Sequence, residues 1–77
     1  MSYTERQNHF HLKNSLKDER AIKNITQTEL AKIIGVSRQT INYIEHGKYV
    51  PSTIIALKLS RYFNKSVHEI FRLEETD

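Results

Sequence analysis

The sequence predicts one all-α domain of five short helices, and it leaves room for a small two-stranded sheet where the two ends of the chain meet. Three observations lead to this prediction. Apolar residues recur at spacings of three and four, Gly, Asn or Pro interrupts that pattern at short intervals, and a Ser or Thr precedes most of the predicted helices. At 77 residues, the chain has the size of a single domain whose core is only just sufficient for folding.

The first helix is expected over residues 12–22, after a polar arm of residues 1–11 that is also a candidate short strand. Leu12 and Leu16 are one turn apart on one face of this helix. Asn24 is suited to the left-handed conformation that ends a helix. The helical domain as a whole, including this first helix, is expected to span residues 12–77.

The middle of the chain predicts two helices in close succession, over residues 27–34 and 38–46. Thr26 and Glu29 fit a capping box at the start of the second helix, and Gly35 supplies the left-handed residue that ends it. Ser37 caps the third helix, which Gly47 ends. Two short helices joined by a glycine turn form the helix-turn-helix pattern, which places its second helix in the major groove of DNA.

Two further helices complete the domain. The connection after Gly47 contains Pro51, and Ser52 caps a fourth helix that is expected to end near residue 63. Ser66 and Glu69 fit a second capping box, for a short fifth helix over residues 67–71. The aliphatic residues at helical spacing are interpreted as core.

The third helix has one face composed of side chains that can form hydrogen bonds. This polar stripe consists of Gln39, Asn42, Tyr43 and His46. None of these is a carboxylate, whereas an ordinary solvated face, which is the alternative interpretation, would usually contain Glu and Lys. Gln and Asn can form two hydrogen bonds with adenine, and Arg38 could bind guanine or a phosphate. The stripe therefore favours a DNA-reading surface.

Composition agrees with a polyanionic partner and excludes several other classes. Twelve Lys and Arg residues exceed nine acids, which gives a formal charge of +3 and a pI near 9.3. The chain has no cysteine, so it has no disulfide framework or thiolate metal site. No signal peptide is recognised at its start, and no stretch approaches the roughly 18 apolar residues of a membrane helix. We expect a cytoplasmic protein that is not bound to a membrane.

No catalytic or metal site is predicted, and no cofactor. His9, His11, His46 and His68 lack Cys or carboxylate companions at zinc-ligand spacing, so they are interpreted as surface histidines. The two glycines are too few for a phosphate-binding loop. No plausible combination of a nucleophile with a base is present.

Residues 16–71 resemble the Cro/CI (Xre) family of phage and bacterial repressors, in its small stand-alone form. The most specific similarity is in residues 25–48, together with Pro51 and Ser52. The resemblance implies a lambda-repressor-like fold and a sequence-specific regulator of transcription, most simply a repressor that occupies a palindromic operator in double-stranded DNA. Two alternatives remain open: an antitoxin or restriction-control protein of the same fold, and a protein-interaction module that has lost DNA binding.

The same resemblance implies site residues. The base-reading positions are Arg38, Gln39, Asn42 and Tyr43, although Tyr43 could instead stack on a sugar or a thymine methyl group. The positions that contact the DNA backbone are Gln27, Thr28, Ser37, Thr40, Lys48, Tyr49, Ser52 and Thr53; for Thr40, simple helix surface is equally compatible. In the family, the glutamine that matches Gln27 also supports the reading glutamine, here Gln39. Arg20 and Glu45 match a structural ion pair between the first and third helices.

A homodimer is expected, because two recognition helices about 34 Å apart read the two halves of a palindrome. Apolar residues alternate with polar ones before the first helix and after the fifth. We therefore expect residues 9–12 to pair as a strand with residues 71–74. The predicted interface consists of Phe10, Leu12, Ile70, Phe71 and Leu73. The alternative is a dimer formed by the fourth and fifth helices alone.

Overall fold

The computed structural model describes residues 12–74, which form five helices and a two-stranded antiparallel sheet. In chain order the elements are β1 (Leu12–Asn14), α1 (Leu16–Lys23), α2 (Gln27–Ile34), α3 (Arg38–Glu45), α4 (Thr53–Phe63), α5 (Val67–Ile70) and β2 (Phe71–Leu73). The all-α class with a small terminal sheet is thus confirmed.

Hydroxyl side chains start the last four helices, as the sequence predicts. The residues that accept a backbone N–H three positions further along are Thr26, Ser37, Ser52 and Ser66. The capping boxes with Glu29 and Glu69 are both complete. At the other ends of helices, Asn24 is left-handed after α1, with φ 56°, and Gly35 is left-handed after α2, with φ 89°.

The core lies between the five helices and the first residue of β2. Its buried side chains are Leu16, Leu30, Ala31, Ile34, Ile41, Ile44, Leu59, Phe63, Ile70 and Phe71. The helices therefore bury the apolar faces that their periodicity predicts. The Glu19 carboxylate is also buried beside them, and Lys65 binds it at 2.6 Å.

The terminal sheet forms, and its first strand, as far as the structure describes it, extends past the predicted end at residue 12 to Asn14. Leu12 pairs with Leu73, and Asn14 pairs with Phe71. The first helix consequently starts at Leu16 and not at residue 12. The Asn14 side chain accepts the Leu16 N–H at 3.0 Å, so the chain turns from strand to helix there. Residues 1–11 lie outside the described part of the chain, and with them Phe10 and the earlier portion of the expected strand.

Two helix ends also differ slightly from the prediction. α3 ends at Glu45, and His46 follows it as the capping residue. α5 ends at Ile70 because Phe71 is extended, with φ −122° and ψ 138°, and pairs with Asn14. After α5 the apolar pattern continues to Phe71, past the point at which the backbone leaves the helix, and after α3 the polar stripe continues to His46 in the same way.

Candidate nucleic-acid interface

The turn between α2 and α3 sets the orientation of the two helices. The N–H groups of Gly35 and Val36 both donate to the Ala31 carbonyl, at 2.8 and 3.0 Å. Ile41 and Ile44 of α3 are buried. Because these two residues hold the inner face of α3 against the core, the opposite face is directed outward.

The predicted reading residues lie on this outer part of α3. Arg38, Gln39 and Tyr43 are exposed, and Asn42 is half-buried. Gln39 and Tyr43 are one turn apart, and the Gln39 amide Nε2 donates to the Tyr43 hydroxyl at 2.7 Å. A glutamine amide has two N–H donors and an acceptor oxygen. After this bond, Gln39 retains one N–H and the oxygen that a two-bond contact with adenine needs.

Gln27 forms a hydrogen bond with Arg38 and not with Gln39, the residue that it was expected to support. Its Nε2 donates to Glu45 at 3.0 Å, and its Oε1 accepts from the Arg38 guanidinium at 3.3 Å. The hydrogen-bond partner of Gln39 is Tyr43, and the expected support of Gln39 by Gln27 is not formed in this structure. The reason is geometric: Gln27 opens α2 beside a buried carboxylate, and that carboxylate holds its amide.

The predicted ion pair between α1 and α3 is confirmed. Arg20 Nε lies 2.6 Å from Glu45 Oε2, and Arg20 Nη2 lies 3.2 Å from Glu45 Oε1. The third donor of the guanidinium, Nη1, binds the Ile25 carbonyl at 2.9 Å. The side chains are 16% and 3% exposed, so the Glu45 carboxylate depends on protein donors and not on water.

The residues assigned to the DNA backbone lie at helix starts and in the loop that follows α3. Ser37 and Ser52 cap their helices, and Thr40 Oγ1 lies 2.9 Å from Ser37 Oγ. The exposed members of the group are Thr28, Ser37, Lys48, Tyr49, Ser52 and Thr53. The Lys48 N–H donates to the Tyr43 carbonyl at 2.8 Å, which holds the loop against the end of α3. Helix N-termini have free N–H groups suited to phosphate.

A carboxylate of the chain itself, that of Glu29, caps the start of α2. Glu29 accepts the Thr26 N–H at 2.8 Å. That bond, together with the one from the Thr26 hydroxyl group, lowers the pKa of the Glu29 carboxyl below its ordinary value. Glu29 is therefore ionised at neutral pH, and its role is that of a cap.

A family model described as helix-turn-helix matches residues 16–70 of the chain. The chain belongs to this helix-turn-helix family. It is 48% identical over 66 residues to an uncharacterized HTH-type transcriptional regulator of Methanocaldococcus jannaschii, covering 86% of this chain and 100% of that protein. It is 42% identical over 64 residues to another from Bacillus subtilis, covering 83% and 97%.

A solved structure resembles this helix-turn-helix protein as well. It is the solution structure of the SOS-response transcriptional repressor LexA from Eubacterium rectale. The TM-score is 0.70 and the identity 32%, over 82% of this chain and 67% of that one. The similarity therefore extends beyond the two central helices to most of the domain.

The predicted dimer residues separate into two groups in this helix-turn-helix protein. Ile70 and Phe71 are only 1% and 5% exposed, so they fill the core of the domain. The prediction that they belong to the dimer interface is therefore corrected: they are core residues. Leu73 is 67% exposed, and Leu12 is half-buried. Phe10 lies outside the described residues.

An apolar groove beside the sheet includes a residue that the sequence prediction missed. Among its lining residues are Leu12, Ala56, Leu57, Val67, Phe71 and Leu73. Leu57 is 56% exposed, although it belongs to an otherwise core-forming helix. Its position one residue beyond Ala56, outside the inward stripe of α4, is the signal that could have identified it.

Within residues 12–74, no group of three or more His, Cys, Asp or Glu side chains is arranged to hold a metal ion. In the same part of the chain, no helix is long and apolar enough to cross a bilayer. His46 contacts the Asn42 carbonyl through Nδ1 at 2.8 Å. His9 and His11 lie outside the described residues.

Proposed function

We propose that this chain is a cytoplasmic, sequence-specific DNA-binding regulator of transcription, acting as a repressor that occupies a palindromic operator. The observation that carries the proposal is the outward face of α3. It combines an exposed guanidinium, an exposed amide and a phenol, and it contains no carboxylate. These groups have the donors and acceptors that distinguish base pairs in the major groove. Family membership and the regulators that it resembles support the same conclusion.

Arg38 and Gln39 are the main base readers in this proposal. Arg38 binds the O6 and N7 acceptors of a guanine, and Gln39 binds the N6 and N7 edge of an adenine. Asn42 reads from the next turn of α3. Tyr43 fixes the Gln39 amide through the 2.7 Å bond and contacts the DNA with its exposed ring.

Phosphate contacts set the position of α3 without reading sequence. They come from the helix starts and from the loop after α3. The proposed contacts are Gln27, Thr28, Ser37, Thr40, Lys48, Tyr49, Ser52 and Thr53. The net charge of +3 favours association with DNA. Binding is consequently expected to weaken as salt increases.

The proposed regulator is a homodimer with the apolar groove at its two-fold axis. Leu73 and Leu57 are each more than half exposed at the rim of the groove. A two-fold contact brings the same patch of each copy together, so these leucines would cover one another. The exposed groove and the half-buried Leu12 support this dimer. Its interface includes both the terminal sheet and α4, whereas the sequence analysis treated a sheet interface and a helix interface as alternatives.

Operator selection from a random double-stranded DNA library, using the full chain, tests the function. We expect enrichment of a palindromic motif whose half-sites are about one helical turn apart. Footprinting on the selected DNA should show contacts in the major groove. No enrichment over the starting library, with a folded protein, would refute the proposal and favour the protein-interaction alternative. A stable complex with a co-purified protein would favour the antitoxin or restriction-control alternative.

Sedimentation of Leu57→Glu and Leu73→Glu tests the dimer. Both substitutions place a charge at an exposed position, so the domain should still fold. Each should shift the wild-type dimer towards monomer at micromolar concentration and weaken operator binding. Ile33→Glu is the matched control, since Ile33 is 50% exposed and does not line the groove. A wild-type monomer, or two variants that sediment as the wild type does, would exclude this interface.

A further inference from the structure

The two strands of the terminal sheet place two cations side by side. In the antiparallel register, Lys13 of β1 pairs with Arg72 of β2, and both residues are exposed. Side chains at directly opposed positions are close neighbours, and like charges there destabilise a sheet. The sheet therefore carries this positive charge at a cost to its own stability, and an anion bound between the two side chains would offset that cost.

The two cations border a polar cleft that reaches the end of α3. Among the residues that line the cleft are Lys13, Arg72, His46, Gly47 and Glu74. His46 is the last member of the polar stripe of α3, and Lys48, a proposed phosphate contact, directly follows Gly47. The cleft is therefore continuous with the surface that we assign to DNA.

Short contacts hold the sheet in place beside α3. The Asn14 side-chain amide donates to the Ile44 carbonyl at 2.9 Å. Gly47 passes so close to β1 that a methyl group on its Cα would lie 3.8 Å from the Leu12 carbonyl oxygen. The cations of the sheet consequently have a fixed position relative to the reading face.

We propose that the terminal sheet is a second DNA-binding element, in which Lys13 and Arg72 bind backbone phosphates of the same duplex that α3 reads. The ligand is the phosphate group of double-stranded DNA, so these contacts add affinity and carry no base preference. The inference rests on the proposed function, because it requires that α3 lies on DNA. It adds a site built by both ends of the described chain to the contacts of the two central helices.

The acidic groups around the cleft leave its cations available. The Glu45 side chain is 3% exposed, and Arg20 binds it at 2.6 Å. Glu74 lies 3.5 Å from the Lys13 Nζ, and the Lys13 side chain is 58% exposed. An ion pair this open to water contributes little free energy. A phosphate can therefore replace Glu74 at the Lys13 ammonium group.

The same sheet can bind DNA and still border the proposed dimer groove. Successive side chains of a strand point to opposite faces. Leu12 and Leu73, which pair with each other, therefore lie on the other face of the sheet from Lys13 and Arg72. One face is thus available to a second copy of the chain, and the other is available to DNA.

The salt dependence of binding tests the phosphate contacts. Affinity is measured by fluorescence anisotropy with the full chain, on the selected operator and on unrelated DNA of the same length. Lys13→Gln and Arg72→Gln should each weaken binding to both DNAs by about 5- to 10-fold near 0.1 M salt and reduce the log–log salt slope by about one. The double variant should reduce the slope by about two.

A matched control separates direct contact from the loss of net charge. Lys23→Gln combined with Arg61→Gln removes the same two charges at exposed positions, one 5.0 Å from the Tyr62 ring centroid and the other next to Tyr62 in the chain. This control should leave the salt slope unchanged. Glu74→Gln removes the carboxylate that competes for Lys13, so it should tighten binding, by about 2-fold.

Neutral methylphosphonate groups, placed at each operator phosphate in turn, locate the contacts. Neutralising a phosphate that the sheet binds should weaken the wild-type complex by about 5- to 10-fold and leave binding by the double variant unchanged. Neutralising any other phosphate should affect both proteins alike. Thermal unfolding and sedimentation verify that the variants fold and associate as the wild type does. Arg72 also borders the apolar groove, so Lys13→Gln alone carries the test if Arg72→Gln changes association.

The outcomes distinguish this inference from the proposed function. A double variant with the wild-type salt slope, or with no greater loss of affinity than the control, would overturn the inference, while sequence-specific binding by α3 would stand. A loss confined to one base position of the operator would likewise overturn the phosphate assignment. If the wild-type chain binds no DNA, the proposed function fails, and this inference fails with it.

Discussion

Replacing Arg20 with methionine should destabilise the domain strongly. Arg20→Met keeps most of the aliphatic stem and removes the guanidinium. The Glu45 carboxylate, whose side chain is 3% exposed, would then retain one side-chain donor, Gln27 Nε2 at 3.0 Å. The Ile25 carbonyl would also lose its bond from Arg20. The change leaves a poorly hydrated negative charge without its counterion.

The size of the effect follows from the burial of the pair. Breaking a buried ion pair by removing one partner costs about 3–5 kcal/mol. The Arg20 side chain is 16% exposed, so water gains partial access to the vacated space, and we expect the lower end, about 3 kcal/mol. Native domains have about 0.05–0.15 kcal/mol of stability per residue, hence roughly 4–12 kcal/mol for a chain of 77 residues. The variant should therefore lose between about a quarter and three quarters of its stability.

Urea and thermal unfolding followed by circular dichroism measure the loss. At about 4–8 °C per kcal/mol for a domain of this size, Tm should fall by about 12–24 °C. Arg61→Met is the matched control, since Arg61 is exposed on α4; its effect should stay within about 0.5 kcal/mol.

A double replacement tests the reasoning itself. Arg20→Met combined with Glu45→Met removes both charges, and replacement of a buried pair by apolar side chains is often neutral or stabilising. We expect it to recover most of the stability that Arg20→Met loses. A single variant that loses less than about 1 kcal/mol, or a double variant no more stable than the single one, would refute the uncompensated-charge explanation.

Three other predictions concern single side chains. Gln39→Ala should cost about 1–3 kcal/mol at one base position and relax discrimination there; an unchanged selected motif would contradict the assignment of Gln39. Lys48→Ala should weaken binding to all DNA alike and reduce the log–log salt slope by about one, whereas a changed base preference would contradict a phosphate contact. Glu29→Gln should reduce the loss of Tm on acidification, measured between pH 7 and pH 3. The hydrogen bonds from Thr26 lower the pKa of Glu29 in the folded state, so its stabilising effect is complete above the unfolded pKa of about 4.3 and is lost as pH falls through the folded pKa. Equal acid sensitivity in the variant and the wild type would exclude this origin.

The features that the sequence predicted correctly are mainly local ones. Thr26 with Glu29, and Ser66 with Glu69, form the two capping boxes because a cap depends on residues within one turn of one another. Asn24 takes the left-handed conformation for a similarly local reason. The Arg20–Glu45 pair is not local, and it was expected only because the chain resembles a family in which the pair is present.

The errors lie where distant parts of the chain decide the structure. The spacing between Leu12 and Leu16 fits one helix turn, yet Leu12 lies in a strand because residues 71–73 pair with it. The alternation around Phe71 indicates that one side of the segment is apolar, but it does not show what covers that side. In the structure Phe71 packs into the core of its own domain and not against a partner. The partner of Gln27 depends on where Glu45 lies after folding, which no sequence spacing reveals.

α3 is fixed at its C-terminal end to β1 and α1, near the start of the described chain. Asn14 of β1 donates to the Ile44 carbonyl at 2.9 Å, while its own oxygen accepts from Leu16 at the start of α1. Arg20 of α1 binds Glu45 in the same last turn of α3. The terminal sheet and α3 are therefore connected through short, directional bonds and not through apolar packing alone. If two copies meet across the groove beside that sheet, as we propose, the separation of their recognition helices is determined by these bonds, and with it the spacing of operator half-sites that the dimer can bind.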